Sequence, residues 1–160
     1  MLFAALPFLT LYTILTLVLG WHDGRTGLLP DRFTCPLLWG GLLFYACLLP
    51  HALVNAVFGA VLAYCAFATL CWAFRKLFRQ EGMGYGDVKY FAALGAWHGW
   101  QQLPELATFA SVLALAWVGF QVLVSGSSEA IKNPLRFGPF LSVAGFIVGL
   151  NRGLFFHFNL

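Results

Sequence analysis

The chain reads as long apolar runs separated by short polar segments. The first run, Leu2 to Trp21, is interrupted only by Pro7, and about 20 residues at ~1.5 Å each make one bilayer crossing. No Lys or Arg precedes its core and no small-x-small cleavage site ends it, so the sequence predicts a retained helix and not a signal peptide. A polar segment, His22 to Arg32, follows; then apolar sequence runs almost unbroken from Cys35 to Phe74. That length far exceeds the ~30 Å hydrocarbon core and requires two crossings. Leu49-Pro50-His51 marks the turn, because proline ends one helix and readily begins the next.

Beyond the polar segment Arg75 to Lys89, Val88 to Trp100 is apolar but too short to span unless its helix begins near Gly84, which puts Asp87 at the helix start. His98 to Pro104 turns the chain, and about Leu106 to Val124 crosses again. Ser125 to Pro134 has loop chemistry, and Phe137 to about Leu150 makes the last crossing. The expected fold is all-α: one polytopic membrane domain over residues 1–160, built as a bundle of about six transmembrane helices.

Composition agrees with that pattern and narrows the function. Only 9% of residues are charged and 61% are hydrophobic, against roughly 25% charged in soluble domains. Disorder, collagen and nucleic-acid binding are excluded, since nine Lys and Arg spread over so apolar a chain form no strongly basic face. Membrane lipid is the expected surrounding. Alternating crossings put Arg25, Arg32, Arg75, Lys76, Arg79, Lys89, Lys132 and Arg136 on one side and Arg152 on the other, a positive-inside distribution. It predicts both termini outside and the loops bearing Asp23, Asp31 and Asp87 in the cytoplasm. The four cysteines form no CxxC pair, so no metal or cofactor site is predicted; they read as small hydrophobes packed inside the bundle.

The acids are only six: Asp23, Asp31, Glu81, Asp87, Glu105 and Glu129. An ionisable side chain near membrane depth is costly and marks a functional position by default. Asp23, Asp31 and Asp87 all fall at cytoplasmic helix ends. Asp31, between Pro30 and Arg32, also reads as a helix cap or as a partner of that arginine. Asp87 follows Gly82, Gly84 and Gly86, which remove Cβ atoms so that another backbone can approach or φ can turn positive. Two carboxylates brought together here suit aspartic protease chemistry: they share one proton, one acts as base towards water, and the other polarises the scissile carbonyl. Spacing alone does not say which acid partners Asp87.

Glu81-Gly-Met-Gly-Tyr-Gly-Asp-Val-Lys89 and Gly95-Ala-Trp-His-Gly-Trp100, with Asp23, Leu28-Leu-Pro-Asp31 and Thr34-Cys-Pro-Leu-Leu-Trp39 upstream, resemble the type IV prepilin peptidases, membrane aspartic proteases with a GxGD motif. The resemblance runs from about residue 5 to Gly145. It implies Asp23, eight residues ahead of the Leu-Pro-Asp acid, and Asp87 of GxGD as the catalytic pair, with Asp31, Gly84, Gly86 and Lys89 as supporting motif residues. It further implies a bacterial inner-membrane endopeptidase that removes the basic leader of type IV prepilins or type II secretion pseudopilins at the cytoplasmic face.

Two departures stand out. Nothing corresponds to the family's cytoplasmic segment of paired CxxC zinc ligands associated with N-methylation, which puts methyltransferase activity in doubt. Arg136-Phe-Gly-Pro139 replaces the usual Pro-Phe-Gly-Pro, a change expected to touch neither aspartate. His22 reads as a polar anchor that can modulate Asp23, Glu105 as a first-turn helix acid, and Arg75, Lys76 and Arg79 as headgroup anchors. Lys89 reads either as favouring an ionised Asp87 or as a snorkelling anchor. Two other functions stay open at this point: a catalytically silent assembly partner, and a small channel or transporter whose acids line a cation path.

Overall fold

A computed structural model describes residues 2–78, 84–125 and 136–151. Six α-helices occur among them, and no strand: α1 (Leu2–Thr26), α2 (Asp31–Leu48), α3 (Leu53–Phe78), α4 (Tyr85–His98), α5 (Leu103–Ser125) and α6 (Gly138–Asn151). The turns at Leu49-Pro50-His51 and from His98 to Pro104 fall where the sequence predicts them, while the predicted loop Ser125 to Pro134 lies, beyond Ser125, outside the described residues. The N–H of Leu49 closes α2 on Tyr45 O at 2.9 Å, and the 3-10 turn Pro50–Ala52 leads into α3. Gly99 ends α4 with φ +76, a left-handed conformation that favours glycine, and its N–H reaches Gly95 O at 2.9 Å.

One boundary differs in a way that matters. Helix α1 does not stop at Trp21 but continues to Thr26, taking His22, Asp23 and Arg25 into its last turns. Nothing in that stretch breaks a helix, and the Thr26 hydroxyl donates back to His22 O at 2.8 Å. The reversal comes instead at Gly27, with φ +68 and its N–H on Asp23 O at 2.8 Å. Asp23 is therefore held on a helix and not on a flexible linker.

Three helical segments, Phe3–Thr26, Pro50–Leu77 and Trp100–Val124, are long and apolar enough to cross a membrane. Helix α2 has 18 residues, and α4 and α6 have 14 each. Helix α4 is the axis of the bundle: every residue from Tyr90 to His98 is buried. It packs against α2, α3 and α6. Against α3 the backbones nearly touch, since a Cβ on Gly59 or Gly95 would collide with the carbonyl of the other. Against α2, Gly40 and Gly41 leave room for the Trp97 indole, whose N–H donates to Leu37 O at 2.8 Å. Phe67 of α3 stacks on Phe91 with ring centroids 3.9 Å apart.

The outside of the bundle is as apolar as the inside. Leu123 is 85% exposed and Leu115 72%, a surface that suits lipid and not water. This corrects the reading of the cysteines as packed inside: Cys35, Cys47 and Cys65 are exposed and Cys71 is half-buried. In a membrane bundle an apolar residue fits either environment, so hydrophobicity does not reveal which way it faces.

The Gly59–Gly95 contact gives a stability prediction. Gly95→Ala, which forces backbones apart, is expected to cost about 1–3 kcal/mol. Gly119→Ala, with nothing within 4 Å of the added methyl, is expected to stabilise by up to ~1 kcal/mol. Thermal unfolding of the two variants in detergent, followed by tryptophan fluorescence, checks the contrast.

Candidate active site

Asp23 sits near the C-terminal end of α1 and is only 4% exposed. Its carboxylate is fixed from the far end of the sequence: the N–H of Gly138, the first residue of α6, donates to Oδ2 at 2.9 Å. A free N–H at a helix N-terminus is a suitable donor to a carboxylate. Only glycine fits there, because a Cβ on residue 138 would lie 2.6 Å from that oxygen. The neighbouring Arg136 donates from its guanidinium to Gly24 O and sets its charge beside Asp23. The replacement of the usual first proline by Arg136 was expected to touch neither aspartate; in the structure Arg136 sets its charge beside Asp23, and Gly138 of the same segment holds that carboxylate.

Asp87 lies in the first turn of α4, its N–H on Gly84 O at 3.1 Å. It is 8% exposed, and its Oδ1 is buried with no hydrogen-bond partner among the described residues. A buried acceptor left open is costly, and it needs water or a ligand to satisfy it. Asp23 and Asp87 line the same open cavity of about 520 Å³, and Asp87 feels the charge of Asp23. The structure thus brings together the two acids that motif matching selects.

Asp31 lines the rim of that cavity and plays a different part. Lys89 Nζ donates to its Oδ1 at 2.8 Å and its Oδ2 at 2.7 Å, an ion pair with both side chains about half exposed. Asp31 therefore pairs with Lys89 and not with Arg32, whose guanidinium lies 4.8 Å from the Phe33 ring centroid. Lys89 in turn is neither a counter-charge to Asp87 nor a free snorkelling anchor. The pair ties the start of α2 to the second turn of α4.

The glycines act by space and not by unusual backbone. Gly84 has φ −73 and ψ 148, which any residue adopts. A Cβ there would come no closer than 3.9 Å to Asp87 Oδ2, so its absence keeps the approach to that carboxylate open. Gly86 is a contact residue: a Cβ would lie 2.9 Å from Leu29 Cβ. Gly82, Glu81 and Arg79 lie outside the described residues, as do Glu129, Lys132 and Arg152.

His22 does not reach the carboxylates by hydrogen bond. Its Nδ1 is 2.9 Å from both Leu28 O and Thr26 Oγ1, which fastens the α1–α2 connection forming one wall of the cavity. Glu105 lies in the first turn of α5, as predicted. Lys76 Nζ sits 4.9 Å from the Trp72 ring centroid, and the Arg75 guanidinium 5.9 Å from that of Tyr85. The sequence marks Arg136 and Gly138 only as part of the altered Arg-Phe-Gly-Pro segment, without a role at the site, and does not mark the buried hydroxyls of Tyr90 and Ser142. Gly138 is 115 residues from Asp23, and no local spacing signals such a bond.

The arrangement defines a class: an all-α membrane bundle that presents two buried aspartates, carried on different helices, to one open cavity. Comparison with known proteins makes this specific. Residues 10–119 match the type IV leader peptidase family, and the chain belongs to that family. It is 56% identical over 148 residues to leader peptidase HopD of Salmonella typhimurium, covering 92% of this chain and 95% of that protein. With leader peptidase HopD of Escherichia coli it shares 53% identity over 146 residues, covering 91% and 94% of the two chains. The prepilin leader peptidase/N-methyltransferase of Dickeya chrysanthemi is 46% identical over 127 residues, which are 77% of this chain but 43% of that protein. No solved structure matches.

The two kinds of contact at the site differ in expected cost. Asp31→Asn removes an exposed ion pair and is expected to change stability by about 0–1 kcal/mol. Gly138→Ala drives a methyl into the Asp23 carboxylate and is expected to cost about 1–3 kcal/mol. Denaturant unfolding in mild detergent distinguishes the two.

Proposed function

We propose that this chain is an aspartic endopeptidase that removes the basic leader peptide from type IV prepilins or type II secretion pseudopilins, with Asp23 and Asp87 as its catalytic pair. The observation that carries the reading is the shared cavity: two buried aspartates from separate helices, one with an oxygen that has no partner among the described residues, in a chain of the leader peptidase family. Leader peptidase and prepilin leader peptidase are also the names of the relatives it matches over most of its length.

In the proposed reaction the pair holds one proton, and its titration belongs to the pair. A water between the carboxyls donates a hydrogen bond to the open Oδ1 of Asp87. The ionised carboxyl takes the water's proton while the protonated one donates to the scissile carbonyl oxygen, giving a tetrahedral diol. Proton return to the amide nitrogen then breaks the C–N bond, releasing a carboxyl-terminated leader and a new amine terminus. The Gly138 N–H keeps Asp23 in register throughout, and the missing Cβ at Gly84 lets the substrate backbone pass beside Asp87.

Orientation follows from where the cations sit. Arg32 lines the cavity, Arg136 sets its charge beside Asp23, Lys89 pairs with Asp31 on the rim, Arg25 is in the last turn of α1, and Arg75 and Lys76 are in the last turn of α3. The positive-inside rule then puts the site on the cytoplasmic side of the inner membrane, with both termini periplasmic. The apolar stem of the substrate lies against α1 and α2, where a groove of about 450 Å³ lined by Leu17, Val18, Trp21 and Phe33 shares His22 and Arg32 with the cavity.

Asp23→Asn and Asp87→Asn, made separately, are each expected to lower kcat for prepilin cleavage by about 10²–10⁴-fold, the usual worth of a general acid or base. Full processing by either variant contradicts the pair. Loss with Asp31→Asn but not with Asp23→Asn moves the pair to Asp31 and Asp87. Val18→Trp, which fills the groove, is expected to raise KM with kcat unchanged.

A further inference from the structure

The two helices that carry the aspartates, α1 and α4, make little direct backbone contact with each other; α6 packs against both. Side chains bridge the gap at two levels. Far from the cavity, Tyr12 of α1 meets Trp97 and His98 of α4, with ring centroids 4.9 and 5.9 Å away, and its hydroxyl lies 3.1 Å from His98 Nε2. Nearer the cavity the bridge is made of hydroxyls. Tyr90 OH of α4 lies 2.7 Å from Ser142 Oγ of α6, and Ser142 Oγ lies 3.2 Å from Thr16 O of α1 and 3.0 Å from Gly138 O.

Tyr90 OH also lies 3.5 Å from Thr16 O, and either hydroxyl of the Tyr90–Ser142 pair can be the donor, so the junction ties α4 to α1 both directly and through Ser142. Tyr90 is fully buried and Ser142 is 6% exposed. The position of each group in the sequence then matters. Tyr90 is one turn beyond Asp87 on α4, and Thr16 is two turns before Asp23 on α1. Ser142 is one turn beyond Gly138, the residue whose N–H holds Asp23. Gly20 of α1 supplies the room, since a Cβ there would lie 2.5 Å from Ser142 Oγ. Among the hydrogen bonds of the described residues, this junction is the tie between α1 and α4 closest in sequence to both aspartates.

We infer that Tyr90 and Ser142 are positioning residues that set the separation of Asp23 and Asp87 through the Thr16 carbonyl and the first turn of α6. The inference rests on the Asp23–Asp87 reading and adds a device to it. A core hydrogen bond that served only stability would affect how much protein folds; this one sets how the folded protein turns over. A misplacement of about 1 Å at reacting groups costs up to ~10²-fold in rate.

The test measures kcat and KM on a purified type IV prepilin in detergent micelles, with thermal unfolding of each variant alongside. Tyr90→Phe and Ser142→Ala each remove one hydroxyl and keep the surrounding packing. Tyr45→Phe is the control, because it deletes a half-buried hydroxyl that donates to Trp97 O at 2.7 Å between α2 and α4. The expected result is a fall of about 10–100-fold in kcat for Tyr90→Phe and Ser142→Ala, with KM within twofold. The double variant is expected to be no worse than the poorer single, and Tyr45→Phe is expected to lose stability but keep kcat.

Folded Tyr90→Phe and Ser142→Ala with kcat within twofold of the parent overturn the inference, and so do losses that multiply in the double variant. If one of the two fails to fold, kcat of the other decides. Asp23→Asn and Asp87→Asn in the same assay separate the layers. If both are inactive while the hydroxyl variants keep kcat, only the positioning role is wrong; if either retains cleavage, the catalytic pair itself falls.

Discussion

The hydrogen bond from the Gly138 amide to Asp23 is the contact on which the site depends. Two carboxylates held out of water beside one another repel, and each also loses its hydration. A structure that keeps them together must supply compensating partners on at least one. Here the partner is a backbone N–H at the first residue of a helix, which is rigid and cannot rotate away. It reaches Asp23 only because residue 138 has no side chain. The other carboxyl, Asp87, keeps a buried oxygen with no hydrogen-bond partner among the described residues.

Much of the remaining architecture serves that juxtaposition. A 14-residue helix, α4, is enclosed by its neighbours, and its first turn, with Asp87, lines the same cavity as the end of α1. Glycines at 59 and 95 allow α3 to press onto it, and glycines at 40 and 41 make room for Trp97. Close packing through small residues is how helices associate where lipid removes the hydrophobic drive. The exposed Asp31–Lys89 pair then ties the cavity rim from outside. Its solvent-screened geometry makes it a minor contributor to stability, which suits a part played in shape more than in energy.

Legibility in the sequence follows the range of each interaction. The turns at Pro50 and Gly99, the start of α4 near Gly84 and the place of Asp87 at that start are local, and spacing and residue type show them. Lipid exposure is not legible in the same way: Cys35, Cys47 and Cys65 face outward because a bilayer rewards apolar surface on either side of a helix. The continuation of α1 to Thr26 was obscured by its polar residues, which mark a change of environment and not a change of backbone. Asp31 read as a helix cap or as a partner of Arg32, and the structure pairs it instead with Lys89, 58 residues away. The roles of Arg136, Gly138, Tyr90 and Ser142 depend wholly on α6 docking between α1 and α4. Motif matching selected Asp23 and Asp87 without showing what holds them.

The central claim is that Asp23 and Asp87 together face the carbonyl that is attacked. Transition-state analogues bind far more tightly than substrates, by 10²-fold or more, because they meet groups aimed at the reacting centre. The direct measurement is the affinity of a prepilin-sequence peptide with a hydroxyethylene group in place of the scissile amide, titrated against the parent protein, Asp23→Asn and Asp87→Asn in micelles. The account predicts tight binding to the parent and a loss of at least ~10²-fold in each variant, with the ordinary prepilin bound about equally by all three. Undiminished analogue binding by either variant contradicts it, because that carboxyl would then not face the reacting carbon.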